Sequence, residues 1–282
     1  MNNIESGSIS SKELLDAIGN KLIGNENVKL YDSVKAQIKS YYDEYDKNTN
    51  NLEAVKRHYE DTNGEIPNFL KNLYSRDRAD IASLWNSVIK ANGNRIIRCP
   101  LCGIGNLRHF DHYMPRSIFP EFSVHSNNLI PLCAECNENK SQVWLNDKHE
   151  RIIFNAYYDV PKDNVLTCTI SISDNNLPVV EINYSQPEKS WTIHEKTIRQ
   201  LGIIPRLTNE LAFMLGDEIE VIKSRYDSHS KKEEYVENYM ETCLDLTRNR
   251  SLSENKRLLY EGMTSSPSFR QWIMTQISTD EE

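Results

Sequence analysis

The sequence has no long apolar run, and its basic residues are outnumbered by acidic ones. No stretch approaches the roughly 20 apolar residues that a membrane-spanning helix needs. The chain begins with a polar segment that lacks the apolar core of a signal peptide, so we expect a cytoplasmic protein with no membrane partner. Lysine and arginine number 33 against 41 aspartates and glutamates, for a net charge of −8. Because basic residues supply most non-specific affinity for DNA, a single molecule is expected to bind nucleic acid weakly.

The rest of the composition is that of an ordinary globular protein. Hydrophobic residues make up 38% of the chain and charged residues 26%, which argues against disorder. The chain has no internal repeat, and its one biased tract is the short asparagine-rich run at residues 48–51. A length of 282 residues is enough for one large domain or two modest ones.

The hydrophobic pattern predicts an α+β protein with helical regions at both ends. Apolar residues recur at helical spacing through residues 1–94, as in the stripe of Tyr31, Val34, Ile38, Tyr42 and Tyr45, and again through residues 191–282. Ser10 with Glu13 forms a capping-box pattern, and Ser266 with Pro267 marks the start of a final helix. Between these regions, residues 95–160 carry the motifs that bear chemistry. Residues 161–190 alternate between apolar and polar around turn-forming residues, which predicts a short antiparallel β-hairpin.

Two further assignments rest on short patterns. Leu52, Val55 and Tyr59 recur at helical spacing and predict a helical turn or more. Residues 151–160 are rich in isoleucine, phenylalanine and tyrosine, which predicts a strand.

Four of the six cysteines form two Cys-x-x-Cys pairs: Cys99 with Cys102, and Cys133 with Cys136. In a chain without a secretion signal this spacing favours metal binding over disulfides. Two such pairs supply the four thiolates that a structural Zn²⁺ prefers. A redox pair and four buried thiols are the alternatives, although a thioredoxin-like motif needs one pair in a βαβ context. Four thiolates leave zinc no open position, so its predicted role is to stabilise the fold.

A group of polar residues between and just after the cysteine pairs is typical of phosphodiester hydrolysis. His112 is the candidate general base, because an imidazole can be neutral at pH 7 and accept a proton from water. His109 is the alternative base. Asp111 and Asn137 offer oxygen ligands of the type that Mg²⁺ or Mn²⁺ prefers.

The local pattern predicts two paired strands and a helix around these residues. We expect residues 109–113 and 129–132 to form the strands and residues 134–144 to form the helix. Neighbouring side chains of a strand point to opposite faces, so Asp111 and His112 need a local twist to reach one phosphate.

This arrangement resembles the HNH (ββα-metal) endonuclease family. The shared pattern is Cys-x-x-Cys, then Asp-His with proline three residues on, Asn-Leu, Cys-x-x-Cys, and Asn with lysine three residues later. The resemblance covers residues 99–144. It implies a small ββα-metal module that binds one divalent ion through Asp111 and Asn137. It also implies metal-dependent cleavage of phosphodiester bonds that leaves 5′-phosphate and 3′-hydroxyl ends.

The same resemblance assigns roles to three further residues. Asn128 matches the asparagine that holds the loop between the strands in the family. Lys140 shares a helix face with the metal-binding asparagine, near the start of that helix, where an anion is favoured. Lys140 and Arg116 are therefore the predicted phosphate contacts.

More narrowly, the sequence around these motifs resembles that of the HNH subunit of Septu-type bacterial anti-phage systems, which works beside an ATPase. This likeness implies a DNA endonuclease that acts in defence with a protein partner such as an ATPase subunit. Residues 152–282 contain more acidic than basic residues. DNA repels an acidic surface, so this region agrees with a protein partner. RNA, such as tRNA, is the alternative substrate for the same site. A zinc-bearing adaptor without catalytic activity is the alternative of a different class.

Overall fold

The structure is a computed structural model that describes residues 1–93, 98–226, 231–249 and 254–277. The predicted boundary between residues 94 and 95 lies outside these described residues. The chain forms two compact units where the sequence analysis distinguishes four regions. The first unit comprises Met1–Pro161 and Thr192–Leu201, and the second comprises Lys162–Trp191 and Gly202–Glu282.

The first unit combines helices with one pair of short strands. Its elements are α1 (Ser11–Gly19), α2 (Asn25–Lys47), α3 (Glu65–Leu73), α4 (Ala79–Ala91), β1 (His109–His112), β2 (Leu129–Leu132), α5 (Ala134–Lys140) and α6 (Ile193–Gln200). The Ser10 and Glu13 capping box predicted from sequence opens α1. The predicted apolar stripe of α2 is confirmed as its buried face: Tyr31, Val34, Ile38, Tyr42 and Tyr45.

Only one helical turn, and no longer helix, forms at residues 52–59. The structure has a single 3₁₀ turn there, Leu52–Ala54, which follows a turn closed by a bond from Asn51 N to Asn48 O. Leu52 and Val55 are nevertheless buried. The apolar pattern therefore predicted the buried positions correctly. Three apolar residues at helical spacing are too few to form a longer helix directly after an asparagine-rich turn.

The strand predicted for residues 151–160 is wrong. Arg151 forms one isolated bridge with Leu145, and the chain then turns. Asp159 N donates to Asn155 O at 3.0 Å, and Asn155 N donates to the Asp159 carboxylate at 2.7 Å. These local bonds of asparagine and aspartate compete with the ladder that a strand requires.

The predicted strand pair and helix around the motifs are confirmed. β1 and β2 are antiparallel, with Asp111 opposite Ile130 and His112 opposite Leu129. α5 follows directly from β2, and the Cys133 sulfur accepts a bond from Cys136 N at its N-cap. The helix is shorter than predicted because Ser141 adopts a left-handed backbone with φ of 47°.

α6 completes the first unit from a distant part of the sequence. A capping box of Thr192 and Glu195 opens it, and Thr197 and Ile198 are buried. Phe154 N donates to the Thr197 hydroxyl at 2.7 Å, and the Asn139 side chain donates to Leu201 O at 2.9 Å. The chain thus leaves the first unit and returns to it before its C-terminal helices.

The second unit begins with the predicted β-hairpin. Its elements are β3 (Leu166–Ile172), β4 (Pro178–Tyr184), α7 (Ile203–Arg225), α8 (Lys232–Asn249), α9 (Glu254–Ser265) and α10 (Pro267–Gln276). β3 and β4 pair antiparallel, and the Ser266 hydroxyl caps α10 as its sequence predicts. Within the described part of the chain, no helix combines the length and apolar character that crossing a membrane requires.

Glu121 gives the first unit a pH-dependent stability. This residue lies in a short 3₁₀ turn, Pro120–Phe122, and only 1% of it is exposed. Burial raises the pKa of Glu121 from 4.5 to about 6, while a bond from His58 N opposes the rise. The folded chain therefore holds this proton more tightly than the unfolded chain does. The stabilisation is complete below pH 4.5 and is lost as the pH rises through about 6.

We therefore expect Glu121→Gln to gain stability relative to the wild type as the pH rises from 4 to 8. The relative gain should be about 2 kcal/mol, because glutamine cannot acquire the buried charge. Urea unfolding of both proteins at the two pH values measures it. The exposed Glu5→Gln variant is the control and should show no such gain. A pH-independent difference between Glu121→Gln and the wild type would contradict the assignment.

Candidate metal centre and active site

The four cysteines of the two pairs lie together in the first unit. All four are buried, and their sulfur atoms lie within 4.8 Å of one another. The Cys102 and Cys133 sulfurs are 3.8 Å apart. Tetrahedral zinc with bonds of about 2.3 Å separates its sulfur ligands by about 3.8 Å. This cluster could therefore hold a structural metal ion such as zinc.

The first pair is shaped as a metal-binding knuckle. Gly103 has φ of 68° and donates its N–H to Cys99 O at 2.8 Å, which turns the chain sharply between the two sulfurs. Ile104 N points at the Cys102 sulfur from 3.5 Å. A side chain at Gly105 would place its Cβ 2.6 Å from Cys133 Cβ. Glycine at this position lets the two pairs approach each other.

The four thiols of the cluster are electrostatically coupled. Burial raises the pKa of Cys99, whereas hydrogen bonds from the neighbouring thiols lower the pKa of Cys102. A bound divalent cation would stabilise all four thiolates at once.

The polar residues of the motif meet where α5 packs on β1. His109 and Asp111 are two residues apart on β1 and share a face, as Asn137 and Lys140 do on α5. Asn137 Nδ2 donates to His109 Nε2 at 2.9 Å. Lys140 Nζ lies 2.8 Å from Asp111 Oδ2. The Asn137–His109 and Lys140–Asp111 contacts align α5 with β1.

The position of Lys140 contradicts its predicted role as a phosphate contact. Only 1% of this residue is exposed. Its ammonium donates to His112 O at 2.8 Å and neutralises the neighbouring Asp111 carboxylate. The helix face that carries Lys140 packs against β1, so the charge stabilises the interior of the site and does not face solvent.

Asp111 presents an oxygen suited to a cation. Burial raises its pKa, and the Lys140 charge opposes the rise. Its Oδ2 is buried and forms an ion pair with Lys140 Nζ at 2.8 Å. Asp111 also lines a polar cavity, and a carboxylate there offers oxygen ligands of the kind that a hard divalent ion prefers.

His112 is held as a neutral imidazole with one defined tautomer. Its Nε2 lies 2.9 Å from Ser123 O, and a carbonyl can only accept, so Nε2 carries the proton. Nδ1 is then the basic nitrogen. Burial lowers the pKa of His112 to about 3, although the Ser123 bond opposes the shift. The Tyr74 ring packs edge-on against the imidazole at 4.5 Å.

Asn128 fixes the loop that begins after His112. Its side-chain oxygen accepts from Met114 N at 2.8 Å, and its amide nitrogen donates to Met114 O and Phe122 O, both at 3.1 Å. Asn128 is fully buried. These bonds fix the course of the chain directly after β1.

Asn128→Ala should destabilise the protein by about 3 kcal/mol, because it removes three buried hydrogen bonds and leaves Met114 N and Met114 O unpaired. Urea unfolding measures the loss. Asn127→Ala is the matched control, since Asn127 is only partly buried, and it should cost less than about 1 kcal/mol. Equal losses in the two variants would show that the bonds of Asn128 do not hold the loop.

A cavity of about 470 Å³ brings the predicted residues together. Asp111, His112, Asn137 and Arg116 all line it, whereas Asn128 and Lys140 support it from behind. Arg116 is exposed, with its guanidinium carbon 5.5 Å from the centre of the Tyr74 ring.

The cavity also contains residues that the sequence analysis missed. Tyr74 and Arg76 come from the connection between α3 and α4, in the N-terminal helical region. Two arginines in the Ser-Arg-Asp-Arg segment were the available signal, but nothing in their spacing connects them with the cysteine pairs.

Comparison with known proteins gives one local similarity. A stretch of 90 residues is 33% identical to protein ea31 of Escherichia phage lambda. This stretch is 30% of the present chain and 29% of the phage protein. No family model matches the chain. No solved structure matches it either.

Proposed function

We propose that this chain is a metal-dependent HNH endonuclease that hydrolyses phosphodiester bonds of DNA, leaving 5′-phosphate and 3′-hydroxyl ends. The observation that carries the proposal is the shared cavity of Asp111, His112 and Asn137. It lies on the β1–β2–α5 arrangement that the four cysteines flank. An acid, an imidazole and an amide around one polar cavity suit hydrolysis of a phosphate ester.

His112 acts as the general base. Its Nδ1 accepts the proton of the attacking water, while the Ser123 carbonyl keeps the ring in place through Nε2. The low pKa of His112 keeps the imidazole neutral at pH 7. A bound phosphate brings negative charge next to the ring and raises this pKa towards the working pH, which makes Nδ1 a stronger base.

Asp111 and Asn137 are the residues that hold the catalytic divalent ion, Mg²⁺ or Mn²⁺. Asp111 offers Oδ2. Asn137 donates its Nδ2 to His109, which leaves Oδ1 as its ligand atom. When bound, such an ion stabilises negative charge on the phosphate and on the departing 3′ oxygen. Burial raises the pKa of Asp111, and the Lys140 ammonium at 2.8 Å opposes this rise.

Arg76 and Arg116 provide the phosphate contacts. Both are exposed, and both line the cavity beside the proposed base. Guanidinium groups bind phosphate oxygens through paired hydrogen bonds. Arg76 thus takes the place that the sequence analysis gave to Lys140.

Nuclease assays on plasmid DNA, single-stranded DNA and tRNA test the proposal. Cleavage should require Mg²⁺ or Mn²⁺ and should stop in EDTA. Cleavage of tRNA and of neither DNA would show that the same site acts on RNA. An intact, zinc-loaded protein that cleaves none of these substrates, with or without its partner, would support the adaptor alternative.

The acidic composition supports action with a protein partner in anti-phage defence, as the likeness to ATPase-linked nucleases implies. The net charge of −8 makes unaided DNA binding weak at physiological salt. We expect the chain to co-purify with an ATPase subunit from its cytoplasmic source. Full degradation of DNA by the isolated chain at physiological salt would remove the reason for a partner.

A further inference from the structure

A second, smaller cavity lies beside the proposed active site in the first unit. Its volume is about 210 Å³. α4 forms one wall through Ile81, Trp85 and Asn86, and β1 forms the other through His109 and Phe110. Sites for drug-sized molecules measure about 300–1,000 Å³, so this slot suits a single heterocycle.

The walls of the slot are aromatic. The Trp85 and Phe110 rings meet edge to face, with centroids 5.2 Å apart and planes at 73°. Trp85 is partly buried, so part of its ring stays accessible to a ligand. Aromatic side chains bind nucleobases by stacking, because every base offers a flat π-face.

The rim of the slot is cationic. Arg76 and Arg108 both line it, and both side chains are exposed. An apolar slot with two guanidinium groups at its opening matches a base attached to a phosphodiester backbone.

The slot and the active-site cavity share a wall. Tyr74, Arg76 and Phe110 line both cavities. A nucleotide whose base enters the slot can therefore direct its phosphate past Arg76 towards Asp111 and His112. The arrangement places the base next to the phosphate that is cleaved.

We propose that this slot binds one unpaired nucleobase beside the scissile phosphate, so that the substrate is a nucleic acid with an unpaired segment at the cleavage point. The proposal rests on the proposed function and specifies its substrate class. A base inside a duplex is stacked on both faces, so it enters such a slot only after it leaves the stack. Single-stranded DNA and single-stranded RNA offer the same flat ring and phosphate.

Binding in EDTA tests the slot without requiring cleavage. Fluorescence anisotropy compares labelled single-stranded DNA, single-stranded RNA and the paired duplex of one sequence. We expect the wild type to prefer the single strands. Trp85→Ala should weaken single-strand binding by about tenfold or more and leave duplex binding nearly unchanged. Trp85→Phe should retain most of the single-strand affinity. If single-stranded DNA and single-stranded RNA differ in affinity, the tighter binder identifies the natural substrate.

Two further variants separate the slot from general charge. Arg108→Ala should weaken binding and reduce its salt dependence, because one phosphate contact is lost. Lys90→Ala is the matched control, since Lys90 is exposed near the end of α4 and lines neither cavity. It should bind like the wild type. Equal effects of Arg108→Ala and Lys90→Ala would overturn the rim assignment.

A scan of abasic positions keeps the test independent of protein folding. With wild-type protein and single strands that each lack one base, affinity should fall sharply at one position. Uniform affinity across the scan, or a preference for the intact duplex, would overturn the slot. If the nuclease proposal fails but the scan shows this position, the slot stands as a binding site without that chemistry.

Discussion

Replacing His112 with alanine should reduce the rate of metal-dependent cleavage by about a thousandfold. The loss is expected in kcat, because His112 takes a proton during the reaction and does not hold the substrate in place. No described neighbour replaces it readily: His109 lies on the opposite face of β1, where its Nε2 accepts from Asn137. His109→Ala is the matched variant and should lose much less activity.

The comparison is meaningful only if both variants remain folded. Each variant should bind as much zinc as the wild type and should remain folded at the assay temperature, as thermal melting shows. His112→Ala that cleaves at the wild-type rate, with zinc intact, would refute its role as the base. A larger loss in His109→Ala than in His112→Ala would transfer the role to the alternative that the sequence left open.

Cys136→Ser should lose the structural zinc and destabilise the first unit by about 5 kcal/mol or more. The four sulfurs connect the segment before β1 to the start of α5, so the loss of one ligand releases both. The active-site cavity depends on the same two elements, so cleavage should disappear together with the metal. Zinc per chain, thermal melting and cleavage are the three measurements.

Cys168→Ser provides the control for this variant. Cys168 is also buried, but it belongs to β3 in the second unit and is not a member of the cluster. It should retain the zinc and the activity of the wild type. If Cys136→Ser and Cys168→Ser melt alike and the wild type carries no zinc, the four cysteines are buried thiols without a metal.

The parts of the fold that the sequence predicted are those with strong local signals. The two cysteine pairs, the strands on either side of Asn128 and the cap at Ser10 each depend on residues close together in the chain. The β3–β4 hairpin followed from alternation and turn residues in the same way. Local patterns of this length leave few competing structures.

The parts that the sequence did not predict depend on packing between distant segments. Lys140 occurs in a motif position that suggests an exposed helix charge, and only the contact of α5 with β1 makes it an internal counter-ion. Tyr74 and Arg76 reach the cavity through the fold of the N-terminal helices. No residue spacing in the sequence indicates that these distant segments come together, so the roles of these residues are seen only in the three-dimensional structure.

The return of the chain to its first unit through α6 has a consequence for synthesis on the ribosome. Every residue that lines the active-site cavity is translated before residue 143, yet α6 follows only after the whole β3–β4 hairpin. Phe154 and Asn139 therefore lack their hydrogen-bond partners, Thr197 and Leu201, until these residues are synthesised. A nascent chain halted between these segments would carry all the cavity residues on an incompletely packed core, so completion of the first unit is coupled to elongation past residue 201.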